Sequence, residues 1–324
     1  MKTILRILKW LGILIIVIVA GFVIAVYSMY NRKFDAPYPD IKASTDSAVI
    51  ARGKYLVFGP AHCVSCHTTP NDSLAIVNGE EVAISGGRDF KIEIGIVYSR
   101  NLTPDDETGI GKASDAELAR VLRFGVTRTG HAIIPFMPYK DMDDRDLTAL
   151  ISYLRSRPAV KNAVPENTYN FMGKAVMAFM MKPEKPASDN PPSVAVDTSI
   201  EYGKYMAFCV ANCRGCHTDR SLITGEFTGI DFAGGLKFPS DFDPSIVFST
   251  PNLTPDAETS PVGRWTYEQF RDRFRQGRLD NGSAMPWELF KTMDEVELYA
   301  IYKYLRSLSP VKNDTGPYIQ KVKS

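Results

Sequence analysis

A chain of 324 residues has room for a membrane segment and two small domains, and 44% hydrophobic with 23% charged residues excludes a disordered polymer. With 38 basic against 37 acidic residues the charge nearly cancels, which excludes the basic footprint of a nucleic-acid binder. Five cysteines and four histidines limit the coordination chemistry available.

The N-terminus carries Lys2, Arg6 and Lys9, then an uncharged apolar run from Trp10 to Tyr30. About 20 apolar residues cross a bilayer core as a helix. The run exceeds the apolar region of a secretory signal, and no Ala-x-Ala-like site follows it. Residues 1–33 therefore read as an uncleaved membrane anchor with a short basic N-terminus. Val26-Tyr27-Ser28 is a weak cleavage site and keeps the alternative open. The basic residues ahead of the run slightly favour an inside N-terminus over Arg32 and Lys33 behind it.

The rest of the chain repeats itself. Gly53-Lys54-Tyr55-Leu56 returns as Gly203-Lys204-Tyr205-Met206, and Asn101-Leu102-Thr103-Pro104-Asp105 as Asn252-Leu253-Thr254-Pro255-Asp256. Met137-Pro138-Tyr139 returns as Met285-Pro286-Trp287. Tyr153-Leu154-Arg155-Ser156 returns as Tyr304-Leu305-Arg306-Ser307, each followed by Val-Lys-Asn. The offsets stay between 148 and 151 residues, as a duplicated domain requires. The copies run over 45–162 and 198–313, with a linker at 163–197 and a tail at 314–324. Pro183, Pro186, Pro191 and Pro192 make part of the linker extended. Before them, Asn170 to Met181 reads as a short Met-rich helix packed on one or both domains, with an interfacial or partner-binding segment as the alternative.

Each copy reads as helix, cysteine motif, long irregular stretch, helix, methionine loop, helix. Leu147, Leu150, Ile151 and Leu154, and again Leu298, Ile301, Tyr302 and Leu305, mark the apolar stripe of the last helix. A middle stretch rich in Gly and Pro reads as loop, unusually long unless a cofactor fills the core.

Cys63-Val64-Ser65-Cys66-His67 and Cys213-Arg214-Gly215-Cys216-His217 have the spacing of covalent haem attachment. Two thiols within one turn of chain can both reach one porphyrin edge, and the adjacent histidine then lies below the iron. A zinc site would need the two motifs to converge, and a redox dithiol would need a βαβ setting. Two haem c groups are thus expected, with His67 and His217 as proximal iron ligands. In bacteria such attachment takes place outside the cytoplasmic membrane. This puts the body in the periplasm as part of a single-pass inner-membrane protein.

Met137 and Met285 follow Cys66 and Cys216 by 71 and 69 residues and are the expected sixth ligands. Met142 and Met293 are weaker alternatives. His131 competes with Met137 in the first copy, but the second has no histidine there. His62 directly precedes Cys63 and cannot easily reach the opposite haem face. Cys209 reads as a small buried side chain, with a reactive or metal-binding thiol as the alternative. Tyr139 and Trp287 and the matched Arg123 and Arg275 could contact haem propionates, and Arg271, Arg275 and Arg278 could share one helix face; a solvated arginine face is the other reading.

Both copies resemble class I cytochrome c domains. The pair resembles the cytochrome c subunit of membrane-bound alcohol and gluconate dehydrogenases. The two C-x-x-C-H motifs, the Asn-Leu-Thr-Pro-Asp elements, the Met-Pro-aromatic loops and the Tyr-Leu-Arg-Ser helices carry it. The resemblance implies a mainly α fold of two tandem class I cytochrome c domains, which here follow the N-terminal transmembrane helix read from the apolar run. It also implies electron transfer from a dehydrogenase to quinone, a terminal oxidase or another cytochrome. The chain departs from the pattern in having two haem motifs where those subunits usually carry three, and in its N-terminal anchor. No catalytic residues or organic substrate are expected. The rival reading is a dihaem enzyme of peroxidase-like or thiosulfate-oxidising type, which needs an open iron position.

Overall fold

The apolar N-terminal run forms one helix, α1 (Lys2–Met29), about 42 Å long at 1.5 Å per residue. The computed structural model describes residues 2–188, 191–221, 225–240, 243, 245–280 and 282–321, so the end of the tail at 322–324 and a few linker and loop positions lie outside the described residues. Among the residues of α1 only Val26 is buried. The helix is long and apolar enough to cross a membrane.

The first half then runs α2 (Ser47–Phe58), α3 (Val64–His67), α4 (Ser73–Val77), β1 (Asp89–Ile92), β2 (Gly95–Tyr98), α5 (Asp115–Phe124), α6 (Asp144–Arg155) and β3 (Thr168–Tyr169). After α7 (Phe171–Phe179) the order returns as α8 (Ile200–Tyr205), α9 (Cys213–Cys216), β4 (Lys237–Pro239), β5 (Ile246–Ser249), α10 (Pro261–Arg264), α11 (Tyr267–Arg275), α12 (Trp287–Phe290), α13 (Glu295–Ser307) and β6 (Ile319–Lys321). Helix starts follow local chemistry. Asp46 accepts from the Ala48 and Val49 amides, while Ser114/Glu117 and Thr266/Gln269 form reciprocal caps. The anticipated stripes of α6 and α13 are buried, except that Tyr302 is only half-buried.

The fold is mostly helical, but the middle of each copy is more ordered than its Gly and Pro content suggests. β1 and β2 pair antiparallel, with Asp89 opposite Tyr98, and β4 pairs β5, with Lys237 opposite Ser249. Each hairpin gains a third strand from beyond the repeat, β3 from the linker and β6 from the tail. These strands are short, and their partners are distant in sequence, so local patterning does not reveal them.

Gly53 and Gly203 explain the repeated Gly-Lys-Tyr. A Cβ on Gly53 would stand 1.9 Å from the Ala149 carbonyl oxygen, and one on Gly203 would stand 2.0 Å from that of Ala300. Only glycine lets α2 lie on α6 and α8 on α13 this closely. One contiguous apolar cluster, including Leu56, Tyr153, Met206, Phe232, Leu298 and Leu305, runs through both halves.

Candidate functional site

Cys63 to His67 form a single helical turn, in which the Cys66 and His67 amides both donate to the Cys63 carbonyl, at 3.2 and 2.9 Å. In the second half the His217 amide donates to the Cys213 carbonyl at 2.8 Å. Both sulfurs of each motif therefore lie on one turn, next to the histidine. All five cysteines are free thiols. Burial pushes Cys63 and Cys213 up to about 12 and raises Cys66 and Cys216 as well. Among the described residues no three His, Cys, Asp or Glu side chains gather as a metal cluster.

Each histidine is held in the same way. His67 Nδ1 lies 2.8 Å from the Arg100 carbonyl oxygen, and His217 Nδ1 lies 2.9 Å from that of Pro251. A carbonyl can only accept, so Nδ1 carries the proton and Nε2 keeps its lone pair. Burial lowers the pKa of both imidazoles, which also favours the neutral, ligating form.

Those carbonyls belong to the residues directly before the two Asn-Leu-Thr-Pro-Asp elements, and the elements fix them in place. Asn101 Nδ2 donates to Val160 O (2.8 Å) and Thr108 Oγ1 (3.1 Å), while its Oδ1 accepts from the Thr103 amide and hydroxyl. Asn252 repeats the set with Val311 O (2.7 Å), Thr259 Oγ1 (3.0 Å) and Thr254. Asp105 and Asp256 close the turn by accepting from Thr108 and Thr259. The motif shapes the loop, and the loop aims a carbonyl at the histidine.

The sequence reading missed Gly86-Gly87 and Gly234-Gly235. The Gly86 amide donates to the His67 carbonyl and the Gly234 amide to the His217 carbonyl, both at 2.8 Å. Gly86 and Gly234 have φ of 69° and 73°, and a Cβ there would stand 2.5–2.6 Å from the backbone of Arg100 or Pro251. The matched Gly-Gly pairs were the available signal. Asn162 and Asn313 fasten these turns, donating to Ser85 O and Ala233 O at 2.9 Å each.

Met137 and Met285 are half-buried and pack against the same apolar core as Cys63 and Cys213. Tyr139 ties the first methionine loop to the first cysteine motif. Its hydroxyl donates to the Ala61 carbonyl and lies 3.9 Å from Cys63 Sγ. In the second half Arg278 donates to the Met285 carbonyl at 3.2 Å, and the Arg273 guanidinium lies 3.6 Å from the Trp287 ring centroid. Met142 and Met293 are fully buried core residues. His131 sits in the Val126–Ala132 turn with Nδ1 3.0 Å from Thr129 Oγ1. His62 adopts φ 42° and meets the Phe290 ring edge-on at 5.6 Å.

The anticipated propionate arginines have other partners. Arg123 is fully buried and donates to Met142 O (2.8 Å) and Asp144 (2.9 Å). Arg275 donates to Lys291 O (2.6 Å) and Glu295 (3.3 Å). Both therefore clamp a helix to the start of the last helix. Arg271 pairs with Asp272, and Arg278 lies beyond the end of α11, so the three arginines do not share a helix face. Tyr139 also spends its proton on Ala61.

The donor set fits covalently bound haem. Adjacent uncrosslinked thiols and a histidine with a free Nε2 stand together in both halves, each with a methionine on the same core.

No family model matches the chain. The cytochrome c subunit of the quinone alcohol dehydrogenase of Gluconacetobacter polyoxogenes is 30% identical over 315 residues, 92% of this chain and 63% of that protein. The gluconate 2-dehydrogenase cytochrome c subunit of Pantoea cypripedii is 28% identical over 287 residues, 81% of this chain and 60% of its own length. A diheme c-type cytochrome of Cereibacter sphaeroides is 26% identical over 208 residues, 61% and 65% of the two chains. The chain thus spans about 63% of the length of the alcohol dehydrogenase subunit. Over most of its own length it is homologous to the cytochrome c subunits of alcohol and gluconate dehydrogenases, the resemblance that its motifs carry.

Proposed function

We propose that the chain is a membrane-anchored dihaem cytochrome c, built as class I domains at 45–162 and 198–313. It passes single electrons on the periplasmic side of the bacterial inner membrane, from a dehydrogenase towards a terminal oxidase or other acceptor. The observation that carries this reading is the matched hold on His67 and His217, which leaves Nε2 of each free to bind iron. A bound haem iron supplies one-electron exchange. Cys63, Cys66, Cys213 and Cys216 would hold the porphyrins as thioethers. The carbonyls of Arg100 and Pro251 orient the proximal rings. Met137 and Met285 would be the second ligands to the irons, and thioether ligation would raise the potential. The names of the relatives support a dehydrogenase as the donor. Retention of α1 is supported by its packing, since Val26 is buried and Phe22 stacks against Phe179.

Full-length protein purified from membranes tests the proposal. It should stain for haem after denaturing electrophoresis and give low-spin oxidised spectra. Met137→Ala and Met285→Ala should each turn one haem high-spin and lower its potential. If neither changes the spectrum or the potential, the ligand assignment is wrong. A high-spin ferric signal in the unaltered protein would favour a dihaem enzyme instead.

A further inference from the structure

The outward face of a surface helix is normally polar. That of α7 is apolar. Phe171, Met172, Phe179 and Met180 are exposed, and Ala175 lies between them on the helix surface, while Gly173, Val176, Met177 and Ala178 face inward. The one charge in the helix, Lys174, is turned onto the rings of Tyr27 and Tyr30, at 4.5 and 5.2 Å.

This apolar face is continuous with α1. Phe22 stacks on Phe179 at 5.7 Å and meets Phe171 edge-on at 6.2 Å. Phe22 lies seven residues before the end of α1, about 10 Å inside the apolar helix. A ring packed there shares the depth of the anchor. Around the junction stand tyrosines and cations of the kind that favour the headgroup layer: Tyr27, Tyr30, Lys33, Lys182, and Arg32, which donates to the Met181 carbonyl at 3.0 Å. With nine residues, α7 is too short to span a bilayer but suited to lie within its interface.

We propose that α7 is an interfacial membrane helix, its outward apolar face covered by lipid acyl chains and its basic rim set among lipid phosphates. The proposal rests on the reading of α1 as a retained anchor. α7 is also fastened to the first half. Gly173 packs against the Ile94 carbonyl, Asn170 Nδ2 donates to Glu93 O at 2.8 Å, and the Glu184 amide just beyond the helix donates to Phe124 O at 2.8 Å. The helix therefore seats the first half on the bilayer instead of leaving it to swing on the segment after α1.

Photocrosslinking tests this on the full-length, haem-loaded protein. It is placed in phosphatidylethanolamine–phosphatidylglycerol vesicles containing a phospholipid with a diazirine in its acyl chain. Adducts are expected on the peptide spanning 171–180 as well as on α1. Met172→Glu, at a position 53% exposed, should lower the α7 yield several-fold with the haem spectrum unchanged. Exposed Ile230 and Leu279 in the second half should stay unlabelled. Intact mass is read first, and a chain cleaved after α1 overturns the anchor reading. With α1 present, an unlabelled α7, equal labelling at Ile230 and Leu279, or a yield unaffected by Met172→Glu overturns this proposal alone.

Discussion

Asn101 and Asn252 show how a short motif becomes a function. Each is buried and spends its amide on carbonyl and hydroxyl partners, and the carbonyl just before it holds a histidine. Asn101→Ala leaves the Val160 carbonyl and the Thr103 groups short of partners. A loss of about 2 kcal/mol is expected in chemical denaturation, from the ordinary cost of unmet buried hydrogen bonds. Cys209 makes a second case. Burial, reinforced by nearby Asp141 and Asp143, pushes its thiol up to about 12. Folded protein near neutral pH should therefore react very slowly with iodoacetamide at Cys209, and denatured protein quickly. Fast labelling of the folded protein would restore the reactive-thiol reading. The motif residues were legible in the sequence because their repetition picks them out. Their partners were not, because a backbone carbonyl has no sequence signature.

At the level of elements, close packing and loop closure decide. Replacing Gly203 with Ala drives a methyl group into the Ala300 carbonyl, so α8 and α13 must separate. A destabilisation of about 3 kcal/mol is expected in urea melts, at the upper end of ordinary overpacking. The acidic turns add a pH dependence. Hydrogen bonds from the Thr108 and Thr259 hydroxyls, with backbone amides, hold Asp105 and Asp256 below the usual carboxylate range. A depressed carboxyl stabilises the fold above its unfolded pKa, and the effect is lost as pH falls through the folded value. Between about pH 5 and about pH 3 the unaltered protein should lose more Tm than the Asp105→Asn/Asp256→Asn variant. Equal losses would mean that these turns carry no acid sensitivity. The last helix of each copy was readable from its apolar period, whereas the sheets were not, since β3 and β6 join from outside the repeats.

In the whole molecule, the halves meet through a near-symmetric exchange of tyrosines and carboxylates. Tyr55 of the first half donates to Glu297 and accepts from the Asp294 amide at 2.8 Å. Tyr205 of the second donates to Asp146 at 3.0 Å and accepts from the Asp143 amide at 3.3 Å. Arg52 bridges Asp146 and Glu297 at 3.0 and 2.8 Å, and Tyr202 adds a bond to Glu297 at 3.1 Å. Asp146 and Glu297 are almost fully buried, so each depends on these partners. Glu297→Ala takes the acceptor from the Tyr55 and Tyr202 hydroxyls and leaves Arg52 with Asp146 alone, and should cost about 2–3 kcal/mol in denaturation. If the halves unfold independently, the loss will fall on one transition only; a shared interface predicts that both shift. The sequence by itself determined the paired C-x-x-C-H motifs, the duplication, the anchor-like run and which methionines are candidates, because each depends on spacing along the chain. Only the tertiary structure decided the carbonyls behind the histidines, the joint between the halves and the seat of α7 on α1. Those depend on which distant groups burial brings together, and on the requirement that every buried charge and backbone amide find a partner there.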